Sequence, residues 1–184
     1  MKQITVLFFV IALTSCSFNK SKISEKEELY NYNVEEKINE LGIKLVNPEK
    51  PVANYLPAVK TGNLIFLSGK IPKDEDGKLI TGKVGADLTI EQGYEAARSC
   101  AVAQLSTLKA EIGDLNKVVR IVKVNGFVNA SPDFTELSKV VNGFSDLMVE
   151  VFGERGKHAR AAVGMASLPL GIACDIEMIV EVQE

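Results

Sequence analysis

The chain has 184 residues, of which 46% are hydrophobic and 24% charged, and its formal net charge is -3. This balance can support one hydrophobic core of ordinary domain size and excludes a disordered, solvating chain. The acidic charge, without any run of Lys or Arg, argues against a nucleic-acid partner.

The amino terminus is predicted to be a lipoprotein signal peptide spanning residues 1–15. Lys2 leads into an apolar run at residues 4–13 that is too short to cross a bilayer. The run ends in Leu-Thr-Ser before Cys16, which resembles a lipobox. We expect Cys16 to carry a lipid that anchors an exported, periplasmic or cell-surface protein to a membrane. An ordinary secretory signal with a chance cysteine is the alternative.

The segment after the signal is predicted to be a tether. Residues 16–32 comprise the lipidated cysteine and a stretch without sustained apolar periodicity, which favours a flexible connection. The domain is expected to span residues 33–184. It begins with a short helix, because Asn33 can cap a segment whose apolar residues share one face.

A β-hairpin is predicted next. Residues 55–60 and 64–68 have period-two patterns and are separated by Thr-Gly-Asn. Residues 72–85 are rich in Lys, Asp and Gly and are expected to form an exposed loop.

A long amphipathic helix follows, starting at a capping box made by Thr89 and Gln92 and ending at Gly113. Its apolar residues recur at helical spacing and are expected to face the core. They are Ile90, Tyr94, Ala97, Ala101, Leu105, Leu108 and Ile112.

The second half of the chain alternates strands with one more helix. Residues 118–129 are rich in β-branched side chains and predict a strand. Ser131 is expected to cap the second long helix, with Pro132 in its first turn and Gly153 at its end. Residues 159–165 and 172–182 predict the last two strands.

This element order predicts an α+β fold with one mixed sheet and both long helices on one face. The last strand agrees with a sheet that has helices on one face, because its apolar residues alternate with mostly acidic ones. The other sheet face is left without helices. Wherever that face is apolar it favours self-association, so we expect a closed oligomer.

Cys100 and Cys174 are the two remaining cysteines. They have no paired spacing, and His158 is the single histidine, so no metal site is expected. Both lie in apolar patterns, which favours buried free thiols. A disulfide between them is the alternative in an oxidising compartment.

Arg160 is the candidate binding residue of the penultimate strand. It shares its face with the small residues Ala162 and Gly164. If the last two strands formed a simple hairpin, Arg160 would lie opposite Asp175, as a structural ion pair. Recognition of a ligand by the guanidinium is the other interpretation.

At these residues the chain resembles the RidA (YjgF) family of reactive-intermediate deaminases, from residue 54 to the end. Tyr55 and Ser68 lie thirteen residues apart, as in that family, and Asn142 is followed by Gly143 as in a less-characterised branch. The matching positions are Tyr55, the Phe-Leu-Ser-Gly-Lys-Ile-Pro motif at 66–72, Asn142, Arg160, Leu168-Pro169, Asp175 and Glu177.

The resemblance implies a chorismate mutase-like fold and a homotrimer with clefts between subunits. It also implies a 2-iminobutanoate/2-iminopropanoate deaminase-type reaction, which hydrolyses a small carboxylate-bearing imine to a 2-keto acid and ammonia. Arg160 would bind the substrate carboxylate, Tyr55, Ser68 and Asn142 would line the cleft, and Asp175 would hold the attacking water. No metal or organic cofactor is implied.

Two departures from the family pattern keep a second function open. Ala162 stands where the deaminases usually carry a cysteine, and Asp175 stands where they carry a glutamate. A water displaced by about 1 Å can slow a reaction roughly a hundredfold. The alternative is therefore a non-catalytic trimeric module that binds a small carboxylate at the membrane surface. A ribonuclease, an older label of this family, is disfavoured by the acidic charge and the single histidine.

Overall fold

The computed structural model describes residues 29–48 and 53–183. The predicted signal peptide, Cys16 and most of the predicted tether lie outside the described residues. Within the described part, no helix is both long and apolar enough to cross a membrane.

Five strands form one mixed sheet, in the order β1-β2-β5-β3-β4. Every neighbouring pair is antiparallel except β3 and β4, which are parallel. The strands are β1 (Ala58–Thr61), β2 (Leu64–Lys70), β3 (Val118–Asn129), β4 (Ala159–Met165) and β5 (Cys174–Val182). The predicted first hairpin is present, although β1 begins three residues late. Pro57, just before it, has no N–H to donate to the ladder, and only its carbonyl pairs, with the Ser68 amide.

Three α-helices are described: α1 (Val34–Glu40), α2 (Ile90–Ile112) and α3 (Leu137–Phe152). The capping box of Thr89 and Gln92 is formed, and α2 ends at Gly113 in the left-handed region, as predicted. Helices α2 and α3 cover one face of the sheet, and the core lies between them and the sheet. The predicted two-layer α+β architecture is therefore confirmed.

The start of α3 was predicted wrongly. The helix begins at Leu137, and Ser131 caps nothing. The Ser131 amide instead donates to the carbonyl of Val84, and its own carbonyl accepts from the amide of Phe134 to close a turn. The backbone of Ser131 is therefore engaged in a contact with the preceding loop and in a turn, and it is not available as the helix cap that the sequence pattern predicted.

The last two strands do not form a hairpin. Strand β3 lies between β4 and β5, so Arg160 is in register with Val124 and Asp175 with Phe127. The chain leaves β4 through a short turn in which Leu170 is left-handed, with φ 58°. The helix between β3 and β4 is the long connection that a parallel pair needs. The ion pair between Arg160 and Asp175 is consequently absent.

The folded part begins earlier than the predicted boundary at residue 33. The Tyr30 hydroxyl donates to the carbonyl of Val118 at 2.6 Å, and the Tyr32 hydroxyl to that of Val151 at 2.9 Å. Arg155 Nε donates to the carbonyl of Leu29. Residues 29–32 were predicted to belong to a flexible tether, but these polar contacts fix them to the domain.

Removing one of these contacts gives a first prediction. Tyr30→Phe loses the hydroxyl bond and leaves the carbonyl of Val118 without that donor, so we expect the free energy of unfolding to fall by about 1 kcal/mol. Tyr55→Phe is the matched control, because the Tyr55 side chain is 53% exposed. Urea unfolding of both variants measures the difference, and equal midpoints would contradict the assignment.

Cys100 and Cys174 are buried free thiols, as predicted. Their sulfur atoms lie 3.8 Å apart between α2 and β5.

Candidate functional site

Arg160 lies beneath α3 on the helix-covered face of the sheet. Its Nη1 donates to Asn142 Oδ1 at 2.9 Å and to Ser145 Oγ at 3.0 Å. Asn142 and Ser145 are three residues apart on α3, so they project from one side of the helix. The structure therefore brings together two of the predicted site residues, Arg160 and Asn142.

Ser145 and His158 are site neighbours that were not predicted from the sequence. Ser145 Oγ lies 2.9 Å from His158 Nε2, and His158 Nδ1 lies 2.6 Å from the carbonyl oxygen of Gly156. Burial lowers the pKa of His158; the hydrogen bond to Gly156 opposes this shift, and the charge of Arg160 adds a smaller lowering. Alternation along β4 was an available signal, since His158 precedes Arg160 by two residues. We call Asn142, Ser145, His158 and Arg160 the Arg160 group.

Asp175 lies on the sheet face that the helices leave open. Its Oδ1 is buried, with no hydrogen-bond donor among the described residues. A Cβ on Gly69 would lie 2.2 Å from that oxygen, so any larger residue there would push the Asp175 carboxyl out of its present position. Burial raises the pKa of Asp175, and the nearby charge of Glu177 also raises it. A carboxylate with a raised pKa is a stronger base than an ordinary aspartate.

Ser68 lies in the β2 irregularity that adjoins Asp175, and Tyr55 directly precedes its hydrogen-bond partner Leu56 in the chain. The Ser68 hydroxyl donates to the carbonyl of Leu56 at 2.7 Å, and Tyr55 is largely exposed. Lys70 is half-buried at the end of β2, where burial lowers its pKa and the charge of Asp175 opposes that shift. We call Tyr55, Ser68, Lys70 and Asp175 the Asp175 group.

Gln104 supports the Asp175 group from α2 and was not predicted from the sequence. The side chain is fully buried. Its Nε2 donates to the carbonyl of Ser68 at 3.0 Å and to that of Ile176 at 2.8 Å. It therefore holds the interrupted part of the β2–β5 ladder together, in place of direct backbone pairing.

The two groups do not meet within one protomer. The register places Arg160 on the face of Val124, towards α3, and Asp175 on the face of Phe127, away from the helices. Strand β3 separates their strands, so the backbones are two ladder spacings, roughly 10 Å, apart. A small ligand held by Arg160 therefore does not reach Asp175 of the same chain.

The open face of the sheet carries exposed apolar side chains. Val59, Phe66 and Val163 are 51%, 43% and 41% exposed, respectively. Register places Val59 opposite Phe66, and Val163 in the row of Phe127 and Asp175. Across residues 29–48 and 53–183, no cluster of three or more His, Cys, Asp or Glu side chains is arranged to hold a metal ion.

The raised pKa of Asp175 gives a second prediction. The folded state holds this proton more tightly than the unfolded chain, so ionisation of Asp175 as the pH rises through its folded pKa costs stability. We expect Asp175→Asn to melt at a higher temperature than the wild type near pH 7.5, and the gain to vanish near about pH 3. Asp133→Asn, which changes an exposed carboxyl, is the control. A pH-independent difference would contradict this explanation.

Comparison with known proteins adds family relationships to this geometry. Residues 35–182 match the family model described as "YjgF/chorismate_mutase-like, putative endoribonuclease". Protein TCP17 of Trypanosoma cruzi is 48% identical over 78% of this chain and 91% of its own length. The 2-iminobutanoate/2-iminopropanoate deaminase of Dermatophagoides farinae is 29% identical over 73% of this chain and 90% of its own.

A solved structure extends the likeness to three dimensions. The protein Atu1372 of Agrobacterium tumefaciens, described as having unknown function, superposes with a TM-score of 0.75 at 45% identity. The match covers 82% of this chain and 94% of that one.

Proposed function

The chain belongs to the YjgF/RidA family, and on that basis we propose that it is an imine deaminase acting on a small carboxylate-bearing imine such as 2-iminopropionate. Water adds to the imine carbon, the C=N bond breaks, and the products are a 2-keto acid and ammonia. The observation that carries this proposal is the fixed guanidinium of Arg160, which lies under α3 with Nη1 held by two oxygen acceptors. A guanidinium is the side chain best suited to a planar carboxylate.

We propose that the active site is completed between protomers of a homotrimer. Two observations support this arrangement. The Arg160 group and the Asp175 group face opposite sides of the sheet in one chain. The open face also exposes Val59, Phe66 and Val163, an apolar surface that self-association would bury. A neighbouring subunit would then supply Asp175 to a ligand held by Arg160.

Asp175 is proposed to act as the general base. As a carboxylate it would accept a proton from the attacking water and donate it to the imine nitrogen, which gives a carbinolamine. It would then transfer the carbinolamine hydroxyl proton to the same nitrogen, so that the C–N bond breaks, ammonia leaves and the keto oxygen remains. The raised pKa makes this carboxylate a stronger base than an ordinary aspartate. Gly69 leaves the space in which the shorter aspartate approaches the backbone of β2. Tyr55 and Ser68 would line the same wall.

The experiment is an assay of the purified protein with 2-iminopropionate generated in situ, following the release of pyruvate against spontaneous hydrolysis. Wild type is expected to accelerate release, and Asp175→Asn to lose most of the acceleration. A wild type that binds pyruvate without accelerating hydrolysis would instead support a non-catalytic carboxylate-binding module. If the wild type neither binds pyruvate nor accelerates hydrolysis, both functions are contradicted.

A further inference from the structure

A chain of hydrogen bonds links the single histidine of the protein to Arg160. It runs from the carbonyl of Gly156 to His158 Nδ1 at 2.6 Å, from His158 Nε2 to Ser145 Oγ at 2.9 Å, and from Ser145 Oγ to Arg160 Nη1 at 3.0 Å. Three backbone elements are tied together in this way: the turn after α3, α3 itself and β4. None of these links depends on a ligand.

The Gly156 carbonyl at one end and the Arg160 guanidinium at the other determine which group donates in each hydrogen bond of the chain. The carbonyl of Gly156 can only accept, so His158 Nδ1 donates to it. A neutral imidazole then has a bare Nε2, which accepts the hydroxyl proton of Ser145. Ser145 Oγ in turn accepts from Arg160, which has no acceptor of its own. The lowered pKa of His158 keeps the imidazole in the neutral form that this order requires.

This order determines which part of the guanidinium remains for a ligand. Nη1 carries two N–H bonds, and Asn142 and Ser145 occupy both. Nε and Nη2 have no acceptor within the described part of the chain. They lie side by side on one edge of the guanidinium and match the two oxygens of a carboxylate.

We propose that Ser145 and His158 are positioning residues that hold Arg160 with its Nε and Nη2 edge towards the ligand carboxylate. The inference rests on the proposed function and specifies how that site orients its ligand. Arg160 is a long side chain on the edge strand β4, and a free guanidinium would lose rotamer freedom each time it bound an anion. The hydrogen-bond chain fixes that orientation before the ligand arrives.

The binding test uses pyruvate as the probe and titration calorimetry as the measurement. Ser145→Ala and His158→Leu should each weaken pyruvate binding about tenfold, as expected when a residue that orients a binding group is removed. Ser145→Thr keeps the hydroxyl and His158→Gln keeps an acceptor near Nε2, so both should bind within about threefold of wild type. Ser138→Ala, on the exposed side of α3, is the control.

A spectroscopic test is independent of affinity. Because His158 is the only histidine, its two ring nitrogens give unambiguous ¹⁵N resonances. Wild type should show the Nδ1–H tautomer, Ser145→Ala should move the Nε2 resonance, and pyruvate should shift the His158 signals in wild type but not in Arg160→Ala. An Nε2–H tautomer, or unchanged pyruvate affinity in Ser145→Ala while Arg160→Ala loses it, would overturn this inference and leave the proposed function intact. Unchanged affinity in Arg160→Ala would overturn the proposed function itself.

Discussion

Arg160→Ala is expected to reduce kcat/KM for imine hydrolysis by roughly 10²- to 10⁴-fold. Two hydrogen bonds from a charged donor contribute about 3–6 kcal/mol together, and each 1.4 kcal/mol corresponds to about a tenfold change. Arg160→Lys restores the charge without the planar pair of donors, so its activity should lie between those of wild type and the alanine variant. Steady-state release of the keto acid measures both variants.

The matched control is Arg120→Ala, which removes an exposed arginine from β3. It should leave kcat/KM within about twofold of wild type, because exposed ionic contacts contribute little. An Arg160→Ala enzyme with the same kcat/KM as this control would contradict a role for Arg160 in substrate binding. Circular dichroism would show whether Arg160→Ala is folded. If it is not, the kcat/KM of Arg160→Lys is compared with that of Arg120→Ala instead.

Gly143→Ala is expected to give the largest loss of stability. Gly143 lies where α3 crosses α2, and a Cβ there would be 2.0 Å from the backbone carbonyl oxygen of Tyr94. Backbone atoms cannot rotate away as a side chain can, so the helices must separate. We expect the free energy of unfolding to fall by about 3 kcal/mol, at the upper end of the usual cost of overpacking.

Urea unfolding of Gly143→Ala should be compared with that of Ser138→Ala on the exposed side of the same helix. The control should change stability by no more than about 0.5 kcal/mol. Since Asn142 adjoins the crossing, the glycine variant should also bind pyruvate more weakly. A Gly143→Ala protein as stable as the control would show that α2 and α3 do not approach as closely as described.

Local signals predicted the parts of the fold that depend on adjacent residues. The capping box at Thr89 and the stop at Gly113 are formed within one turn of the chain, and both were correct. Ser131 was misassigned because its backbone pairs with the distant Val84. The pairing of β4 with β3 was also missed, since a strand pattern contains no information on which neighbour it joins.

The site shows the same division between local and tertiary information. Resemblance identified Arg160 and Asn142, and the structure places them in contact. Ser145 was missed because a hydrogen bond from a helix to a distant side chain leaves no periodic signal. His158 was missed although it alternates with Arg160, because it lies just before the predicted strand. Gln104 was missed for a related reason, since a polar residue in a helix is normally expected at the surface.

The separation of the two groups in one protomer can be tested by mixing variants. Arg160→Ala and Asp175→Asn chains, co-expressed with different tags and purified through both, should form mixed trimers. If each site takes Arg160 from one subunit and Asp175 from the next, each doubly purified mixed trimer holds one intact site, about a third of the total. Activity should then return although each variant alone is inactive. Mixed trimers without activity, or a protein with the mass of a single chain, would contradict a site shared between protomers.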